Sequence, residues 1–285
     1  MYFCTSSEKE RPLKINLQKL SRRIVRTIIV LIAFYLISLV FFYFKQERFF
    51  FNPKHLDKNY TFEFADPFEE INIKVDPNID LNAVLFKAED SKGVILYFHG
   101  NAGAIHDWGK RAHLFLENSY DILFVDYRNY GKSDGEYCNS EELFSDAQKV
   151  YDYTKTRYSE DNIIVLGFSL GTGMASYVAS KNTPKMLILN APYYSWKALI
   201  AEEIAPPVPK FIIKYDIPSY QFVKNVTCPI HICYGTRDFL IHPDTNAKKL
   251  QALQPENIIL HPITDAGHNG LHITKAYYDL LKVIL

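Results

Sequence analysis

The sequence lacks a net charge and has few cysteines. Its 285 residues carry 32 Lys and Arg against 32 Asp and Glu, so the formal net charge is zero. A nucleic-acid-binding protein would be expected to have a basic face, and the balance therefore gives no support to a nucleic-acid partner. With 48% hydrophobic and 22% charged residues, the chain is unlike disordered or collagen-like proteins and can bury a sizeable core.

Four cysteines are too few for a disulfide scaffold in a chain of this length. Cys228 and Cys233 stand five residues apart on one predicted strand, so their side chains should face opposite sides and not pair. Cys4 precedes a long apolar run, and Cys138 would reach another cysteine only through the fold. No Cys-x-x-Cys or zinc-finger spacing is present. We expect buried or free thiols.

The sequence also lacks a complete motif for a metal, a nucleotide or a dinucleotide. His268 and His272 have the i, i+4 spacing of some metal pairs, but no Glu or Cys set accompanies them. The run Gly131-Lys132-Ser133 is similar to the end of a phosphate-binding loop, yet position 126, where such a loop needs glycine, is Asp. We therefore predict no metal and no cofactor.

One long apolar run stands near the N-terminus. Residues 27–44 are 18 consecutive positions without a charge, rich in Ile, Leu, Val and Phe. As a helix they would span about 27 Å, close to the hydrocarbon thickness of a bilayer. A buried core helix is seldom apolar on all sides at this length, and a cleaved signal peptide would be shorter and followed by a small-residue cleavage site. We predict a retained transmembrane signal anchor, followed by a connector at 45–59.

Positive charge is concentrated before this run. Lys45 and Arg48 follow it closely, whereas seven basic residues precede it: Lys9, Arg11, Lys14, Lys19, Arg22, Arg23 and Arg26. The positive-inside rule predicts that residues 1–26 are cytoplasmic and that the main domain lies across the membrane, on the periplasmic, extracellular or luminal side. Asn59 and Asn225 begin glycosylation sequons. About one or two such matches are expected by chance, so they are informative only in a source with a secretory lumen.

Residues 60–285 alternate strand-like and helix-like segments. We predict a hairpin at 71–75 and 81–86, strands at 94–98, 122–125, 163–166, 186–189, 230–234 and 258–260, and helices near 105–117, 140–157, 170–181, 244–253 and 271–283. This alternation predicts an α/β fold with a mostly parallel sheet and helices on both faces. The interval 195–224 contains Pro206, Pro207 and Pro209, which prevent a continuous helix, and is predicted to be an inserted cap.

A serine between two glycines follows one of these strands. Gly167-Phe168-Ser169-Leu170-Gly171 comes directly after the strand at 163–166 and before a helix-like stretch. A tight strand-to-helix turn needs small residues two positions to either side, because its backbone is strained and crowded. Such a turn lifts the hydroxyl above the sheet edge and aims the helix N-terminus at the site. The pattern predicts that Ser169 is a nucleophile.

A serine nucleophile needs a base, and the base needs an orienting acid. Asp238 follows the strand at 230–234, and His268 follows the strand at 258–260 after a short loop. Since the carboxyl ends of parallel strands share one edge of the sheet, these side chains can converge with Ser169. The chain order Ser, Asp, His is that of α/β-hydrolases. Asp265 and Asp244 are the alternative acids.

Acyl transfer also needs hydrogen-bond donors for the oxyanion. A His-Gly-Asn-Ala-Gly loop at 99–103 follows the strand at 94–98, where its backbone can present an N–H. We assign the oxyanion hole to the amides of Asn101 and Leu170, with Ala102 as the alternative to Asn101. His99 is predicted to pack and to fix the loop rather than to take part in catalysis.

The runs His-Gly-Asn-Ala-Gly at 99–103, Asp-Tyr-Arg-Asn-Tyr-Gly-Lys-Ser-Asp-Gly at 126–135 and Gly-Phe-Ser-Leu-Gly at 167–171 resemble one family. It is that of the membrane-anchored α/β-hydrolase-domain proteins, which are grouped with serine aminopeptidase-like and monoacylglycerol-lipase-like hydrolases. The similarity covers residues 60–285, and the preceding anchor also fits.

The resemblance implies an α/β-hydrolase fold in which Ser169 matches the family nucleophile, Asp238 its acid, His268 its base and Asn101 its oxyanion position. It also implies that the loop at 126–135 is structural rather than catalytic. Position 129 is Asn where glycine is usual, a departure that leaves the triad untouched.

The sequence as a whole predicts a membrane-anchored serine hydrolase that cleaves carboxylic esters or lipid-like acyl substrates through an acyl-enzyme. The apolar cap residues Phe211, Ile212 and Ile213 favour acyl groups. Its predicted partners are therefore a small acyl substrate and the membrane.

Two other interpretations remain open at this point. A serine peptidase or amidase on short peptides is the first, because Glu202 and Glu203 in the cap could hold a peptide amino terminus. A non-catalytic interaction module is the second, although degenerate α/β-hydrolases usually lose a triad member and none is missing here.

Overall fold

The computed structural model describes residues 17–136 and 139–285. Cys4, Cys138 and the basic residues Lys9, Arg11 and Lys14, which entered the predictions above, lie outside the described residues. The chain divides into two compact units, Met1–Lys45 and Gln46–Leu285.

A long helix, α1, runs over Leu17–Phe50 and contains the apolar run predicted at 27–44. Its large apolar side chains are exposed, including Ile29, Phe34 and Phe44. Among the described residues it is the one helix long and apolar enough to cross a membrane. The helix continues past position 44 because the residues at 45–48 are good helix formers, so the predicted connector begins inside a helix.

The second unit is built on an eight-stranded sheet. In chain order the strands are β1 (Asn52–Pro53), β2 (Phe68–Asp76), β3 (Ile79–Phe86), β4 (Val94–Phe98), β5 (Ala102–Gly103), β6 (Asp121–Val125), β7 (Ile163–Phe168), β8 (Met186–Asn190), β9 (Ile230–Gly235) and β10 (Ile258–Ile263). The large sheet has the order β10-β9-β8-β7-β4-β6-β3-β2, while β1 pairs with β5. β2 and β3 form the predicted hairpin, and β4, β6, β7, β8, β9 and β10 are parallel. The mostly parallel sheet is confirmed.

The helices are α2 (Ile105–Trp108), α3 (His113–Leu116), α4 (Ser140–Arg157), α5 (Gly171–Lys181), α6 (Trp196–Ala198), α7 (Ser219–Val223), α8 (Ala247–Gln251) and α9 (Lys275–Ile284). The helix predicted at 140–157 is observed with those bounds, and the Asn139 side chain caps it by accepting from the Glu142 amide. The prediction of one helix at 105–117 is wrong. A 3-10 turn at Gly109–Arg111 separates α2 from α3, and the Phe64 ring packs so closely that a Cβ at Gly109 would lie 2.6 Å from it.

Two other predicted helices are shortened. The helix predicted at 244–253 is reduced to α8. The one predicted at 271–283 begins as a 3-10 turn, Leu271–Ile273, before the extended residue Thr274, whose hydroxyl caps α9 by accepting from the Tyr277 amide.

The predicted cap interval consists of short segments. It holds α6, a π-helical turn at Leu199–Ile204, a 3-10 turn at Lys210–Ile212 and α7. Three prolines between the two turns supply no amide hydrogen, so no regular helix can bridge them.

Much of the aromatic content fills the core. Seven tyrosines are almost completely buried: Tyr97, Tyr120, Tyr130, Tyr151, Tyr193, Tyr215 and Tyr277. One cluster surrounds a histidine, since the His272 ring lies 4.3 Å from the Phe168 centroid and 6.0 Å from that of Trp108. His272 is 3% exposed, and its Nε2 has no hydrogen-bond partner among the described residues.

Burial lowers the pKa of His272 to about 3, and the nearby charges of Arg111 and His268 act in the same direction. The folded protein therefore holds the neutral ring, whereas the unfolded chain binds a proton below the ordinary histidine pKa of about 6.5. Stability present above pH 6.5 is lost as the pH falls toward 3.

We predict that this histidine alone removes about 2 kcal/mol of unfolding free energy between pH 6.5 and pH 5. His272→Phe, which suits the aromatic surroundings, should flatten that pH dependence. Urea unfolding at several pH values measures it, with the exposed His113→Gln as the matched control. An unchanged slope in His272→Phe would contradict the assignment.

Candidate active site

Ser169 lies on a strained turn between β7 and α5. Its φ of 50° is left-handed, a region that non-glycine residues rarely occupy. The turn is crowded on both sides: a Cβ at Gly167 would lie 2.5 Å from the Gly171 carbonyl oxygen, and one at Gly171 would lie 2.0 Å from that of Phe98. Only glycine fits these two positions. The Ser169 amide donates to the Asn190 carbonyl at 2.9 Å, which fastens the turn to β8.

The structure brings Ser169, His268 and Asp238 together. His268 Nε2 is 3.0 Å from Ser169 Oγ, and His268 Nδ1 is 2.8 Å from Asp238 Oδ2. Asp238 follows β9 and His268 follows β10, so neighbouring parallel strands deliver both to the edge where β7 delivers the serine. The three side chains form a continuous chain of hydrogen bonds from the serine hydroxyl through the imidazole to the carboxylate.

The Asp238 carboxylate is held on both oxygens. It is 2% exposed, and its Oδ1 accepts from the amides of Leu240 at 3.0 Å and Ile241 at 2.9 Å. These two bonds leave Oδ2 directed at His268. The alternative acids have other partners, because Asp265 pairs with Arg237 and Asp244 pairs with Lys248, both at the surface.

The two assigned oxyanion residues lie on adjoining loops. Leu170 stands at the start of α5, where backbone amides have no partner within the helix. The start of α5 touches the end of β4, since a Cβ at Gly171 would also lie 2.7 Å from the His99 carbonyl oxygen. Asn101 follows two residues later, and the alternative donor Ala102 belongs to β5. The geometry thus places the loop at 99–103 beside the serine turn.

His99 is a packing residue, as the sequence predicted. It is fully buried, its Nδ1 is 2.7 Å from the Gly100 carbonyl oxygen, and its Nε2 is 3.2 Å from Asp126 Oδ1. Asp126 also accepts from the Ile105 amide at 2.9 Å. Burial raises the pKa of the Asp126 carboxyl, while its bond to His99 opposes that shift.

The loop at 126–135 supports the same region, and its one sequence departure is accommodated. Asn129 has a φ of 65°, the left-handed conformation that explains why glycine is usual there. Asn tolerates this region better than other side chains do. Tyr130, which the sequence analysis did not single out, donates from its hydroxyl to the Asn101 carbonyl at 2.6 Å.

A family model for the alpha/beta hydrolase fold matches residues 93–211. An uncharacterized protein of Acanthamoeba polyphaga mimivirus is 34% identical over 142 residues, which cover 45% of this chain and 47% of that protein. The alpha/beta hydrolase domain-containing protein 17C of Mus musculus is 27% identical over 202 residues, or 68% of this chain and 60% of that protein. The chain thus matches about half to three fifths of the length of these relatives.

Solved structures agree on the fold. An esterase from Pyrococcus furiosus superposes with a TM-score of 0.64 at 19% identity, covering 82% of this chain and 95% of that one. An alpha-beta hydrolase from Vibrio vulnificus superposes with a TM-score of 0.64 at 20% identity, covering 76% of this chain and 81% of that one.

At identities this low, the superpositions show only that the folds are similar. Together with the family match, they show that this chain has the α/β-hydrolase fold, and the curated relatives show its similarity to α/β-hydrolase-domain proteins.

Proposed function

We propose that this protein is a serine hydrolase in which Ser169 is the nucleophile, His268 the general base and Asp238 the orienting acid. The observation that carries the proposal is the relay of 3.0 Å and 2.8 Å hydrogen bonds from the Ser169 hydroxyl through the imidazole to the buried carboxylate.

The mechanism follows from the chemistry of these groups. His268 Nε2 accepts the Ser169 proton as Oγ attacks a carbonyl carbon, and Asp238 stabilises the imidazolium that forms. The amides of Asn101 and Leu170 bind the oxyanion of the tetrahedral intermediate. His268 then gives the proton to the leaving group, which departs and leaves an acyl-enzyme. Water activated by His268 releases the acyl product and restores the serine.

Apolar side chains near the acid favour ester or lipid-like acyl substrates. Phe239 and Leu240 directly follow Asp238 in the chain and are 80% and 46% exposed. In the cap, Ile204 and Phe211 are also exposed, at 44% and 82%. Isolated exposed apolar residues are ordinary, but several on the cap and on the acid loop suit a site that receives an apolar chain.

The cap acids give less support to a peptidase. Glu203 accepts from the Thr245 hydroxyl at 2.7 Å, from the Asn246 side chain at 2.9 Å and from the His242 amide at 3.2 Å. Glu202 forms an ion pair with Lys210 at 2.5 Å. Both carboxylates thus already bind groups of this chain, and a peptide amino terminus would have to displace them.

We further propose that the hydrolase is anchored by α1, with residues 1–26 in the cytoplasm, a span at 27–44 and the domain from residue 60 on the other side. The length and composition of α1 and the excess of basic residues before the span support this arrangement.

The central test removes the nucleophile. Ser169→Ala should lower kcat on a nitrophenyl ester by at least about a thousandfold, because triad deletions remove nearly all turnover. A variant that retained a tenth of the activity would refute the assignment. Failure of folded protein to react with a fluorophosphonate at Ser169 would instead revive the non-catalytic interpretation.

The acid is tested by a matched pair of variants. Asp238→Asn should lower kcat by about ten-thousandfold, since the amide cannot hold the productive tautomer of His268. Asp265→Asn, on an exposed ion pair three positions before the histidine, should change kcat less than twofold. Equal losses in the two variants would contradict the assignment of the acid.

Substrate class is tested by comparing nitrophenyl esters of increasing chain length with aminoacyl nitroanilides. We expect Ser169-dependent cleavage of the esters, with the preferred chain length reporting the size of the acyl site. Comparable rates on the anilides would favour the peptidase.

Topology is tested by glycosylation. Asn59 and Asn225 both lie on exposed turns, so a domain made in a secretory lumen should acquire glycans that a glycosidase removes. The chain is translated in the presence of microsomes and its mobility is measured by gel electrophoresis. Asn59→Gln and Asn225→Gln should each remove the mobility shift that one glycan causes. Absence of any shift, beside a glycosylated control protein, would place the domain on the cytoplasmic side.

A further inference from the structure

We infer that residues 50–56, here named the strap, are a positioning element for the oxyanion loop at 99–103. The inference rests on the proposed function and extends it to a segment that the sequence analysis took for a simple connector. The strap contains β1, and its hydrogen bonds join the end of α1 to two loops of the site.

The strap binds the oxyanion loop directly. β1 pairs in parallel with β5, the Asn52 amide donates to the Asn101 carbonyl at 2.9 Å, and the Lys54 amide donates to the Gly103 carbonyl at 3.0 Å. In addition, the Asn101 side chain donates from Nδ2 to the Phe50 carbonyl at 3.1 Å.

The local sequence suits this pairing. Alternate residues of a strand direct their amides to the same side, so residues 52 and 54 face β5 and residue 53 does not. Position 53 is proline, which has no amide hydrogen to give. The proline therefore removes no hydrogen bond between β1 and β5, and it restricts the backbone between the Asn52 and Lys54 amides.

The strap is fastened in turn to the loop at 126–135. The Gly131 amide donates to the Lys54 carbonyl at 2.9 Å, and the Leu56 amide donates to the Gly131 carbonyl at 2.9 Å. The same loop carries Tyr130, whose hydroxyl is the second donor to the Asn101 carbonyl. The Asn101 carbonyl thus accepts from both sides.

These bonds decide where the Asn101 amide points. Its carbonyl is held by Asn52 and Tyr130 and its side chain by the strap, so the remaining backbone polar group of this residue is its N–H. An oxyanion donor is effective only when it is held close to where the charge develops. A shift of the strap would therefore weaken binding of the transition state rather than of the substrate.

The strap also contacts the cap. Phe50 packs edge-on against Trp196 with centroids 5.7 Å apart, and Phe51 packs against Tyr215 at 4.9 Å. One segment thus supports both the oxyanion loop and the cap.

The experiment compares two substitutions at one exposed position in the full chain. Asn52→Pro removes the amide donor, whereas Asn52→Ala keeps it and removes only an exposed side chain. We expect Asn52→Pro to lower kcat about 10- to 100-fold with KM changed less than threefold, and Asn52→Ala to stay within twofold of the wild type.

A second measurement reports on the oxyanion itself. A trifluoromethyl ketone adds to Ser169 Oγ, its carbonyl oxygen becomes an oxyanion, and the serine proton moves to His268. Its inhibition constant should rise by the same factor as kcat falls in Asn52→Pro. A merely structural role would lower the melting temperature without this parallel loss.

Tyr130→Phe tests the same inference if Asn52→Pro does not fold, because it removes only the hydroxyl that donates to the Asn101 carbonyl and preserves the ring. We expect kcat to fall about 3- to 10-fold, again with the inhibition constant following. Wild-type kcat in a folded Asn52→Pro or in Tyr130→Phe, or a loss confined to KM, would overturn the inference. Absence of Ser169-dependent turnover in the wild type would instead refute the proposed function.

Discussion

The geometry of the site depends on one strained turn. Ser169 holds a left-handed backbone, at a cost of about 1 to 3 kcal/mol for a non-glycine residue. The strain persists because β7, α5 and the end of β4 approach so closely that Gly167 and Gly171 have no room for a side chain. The position of the hydroxyl is thereby set by backbone packing, and His268 can meet it at 3.0 Å without rearrangement.

Around this turn, buried side chains and backbone amides hold the neighbouring loops in place. His99 and Asp126 pair under the oxyanion loop, and Tyr130 and Asn52 fasten the carbonyl of Asn101 from two sides. Such groups are costly to bury unless they are bonded. The hydrogen bonds that they make fix the direction of a few backbone groups, which a preorganised oxyanion site would require.

The sequence predicted the sheet well because buried parallel strands are continuous apolar runs, and six such runs fall within the observed strands. The helix predicted at 140–157 is observed with the same bounds, and the Asn139 side chain caps it. The prediction failed at 105–117, where a 3-10 turn at Gly109–Arg111 separates two short helices and Gly109 lies against the distant Phe64, a contact that no local pattern reports. From the sequence, Glu202 and Glu203 were candidates for binding a peptide amino terminus. In the structure, both carboxylates already bind other residues of the chain.

The sequence by itself determined which residues are candidates for the site. Two glycines mark the serine turn, and residues that follow strands of a parallel sheet must share one edge, so Ser169, Asp238 and His268 could be named in advance. Only the tertiary structure decided which atoms meet and what holds them. The strap shows the difference, because most of its hydrogen bonds to the two loops join backbone groups, which no sequence pattern distinguishes, and their partners lie about 50 and 75 positions away along the chain.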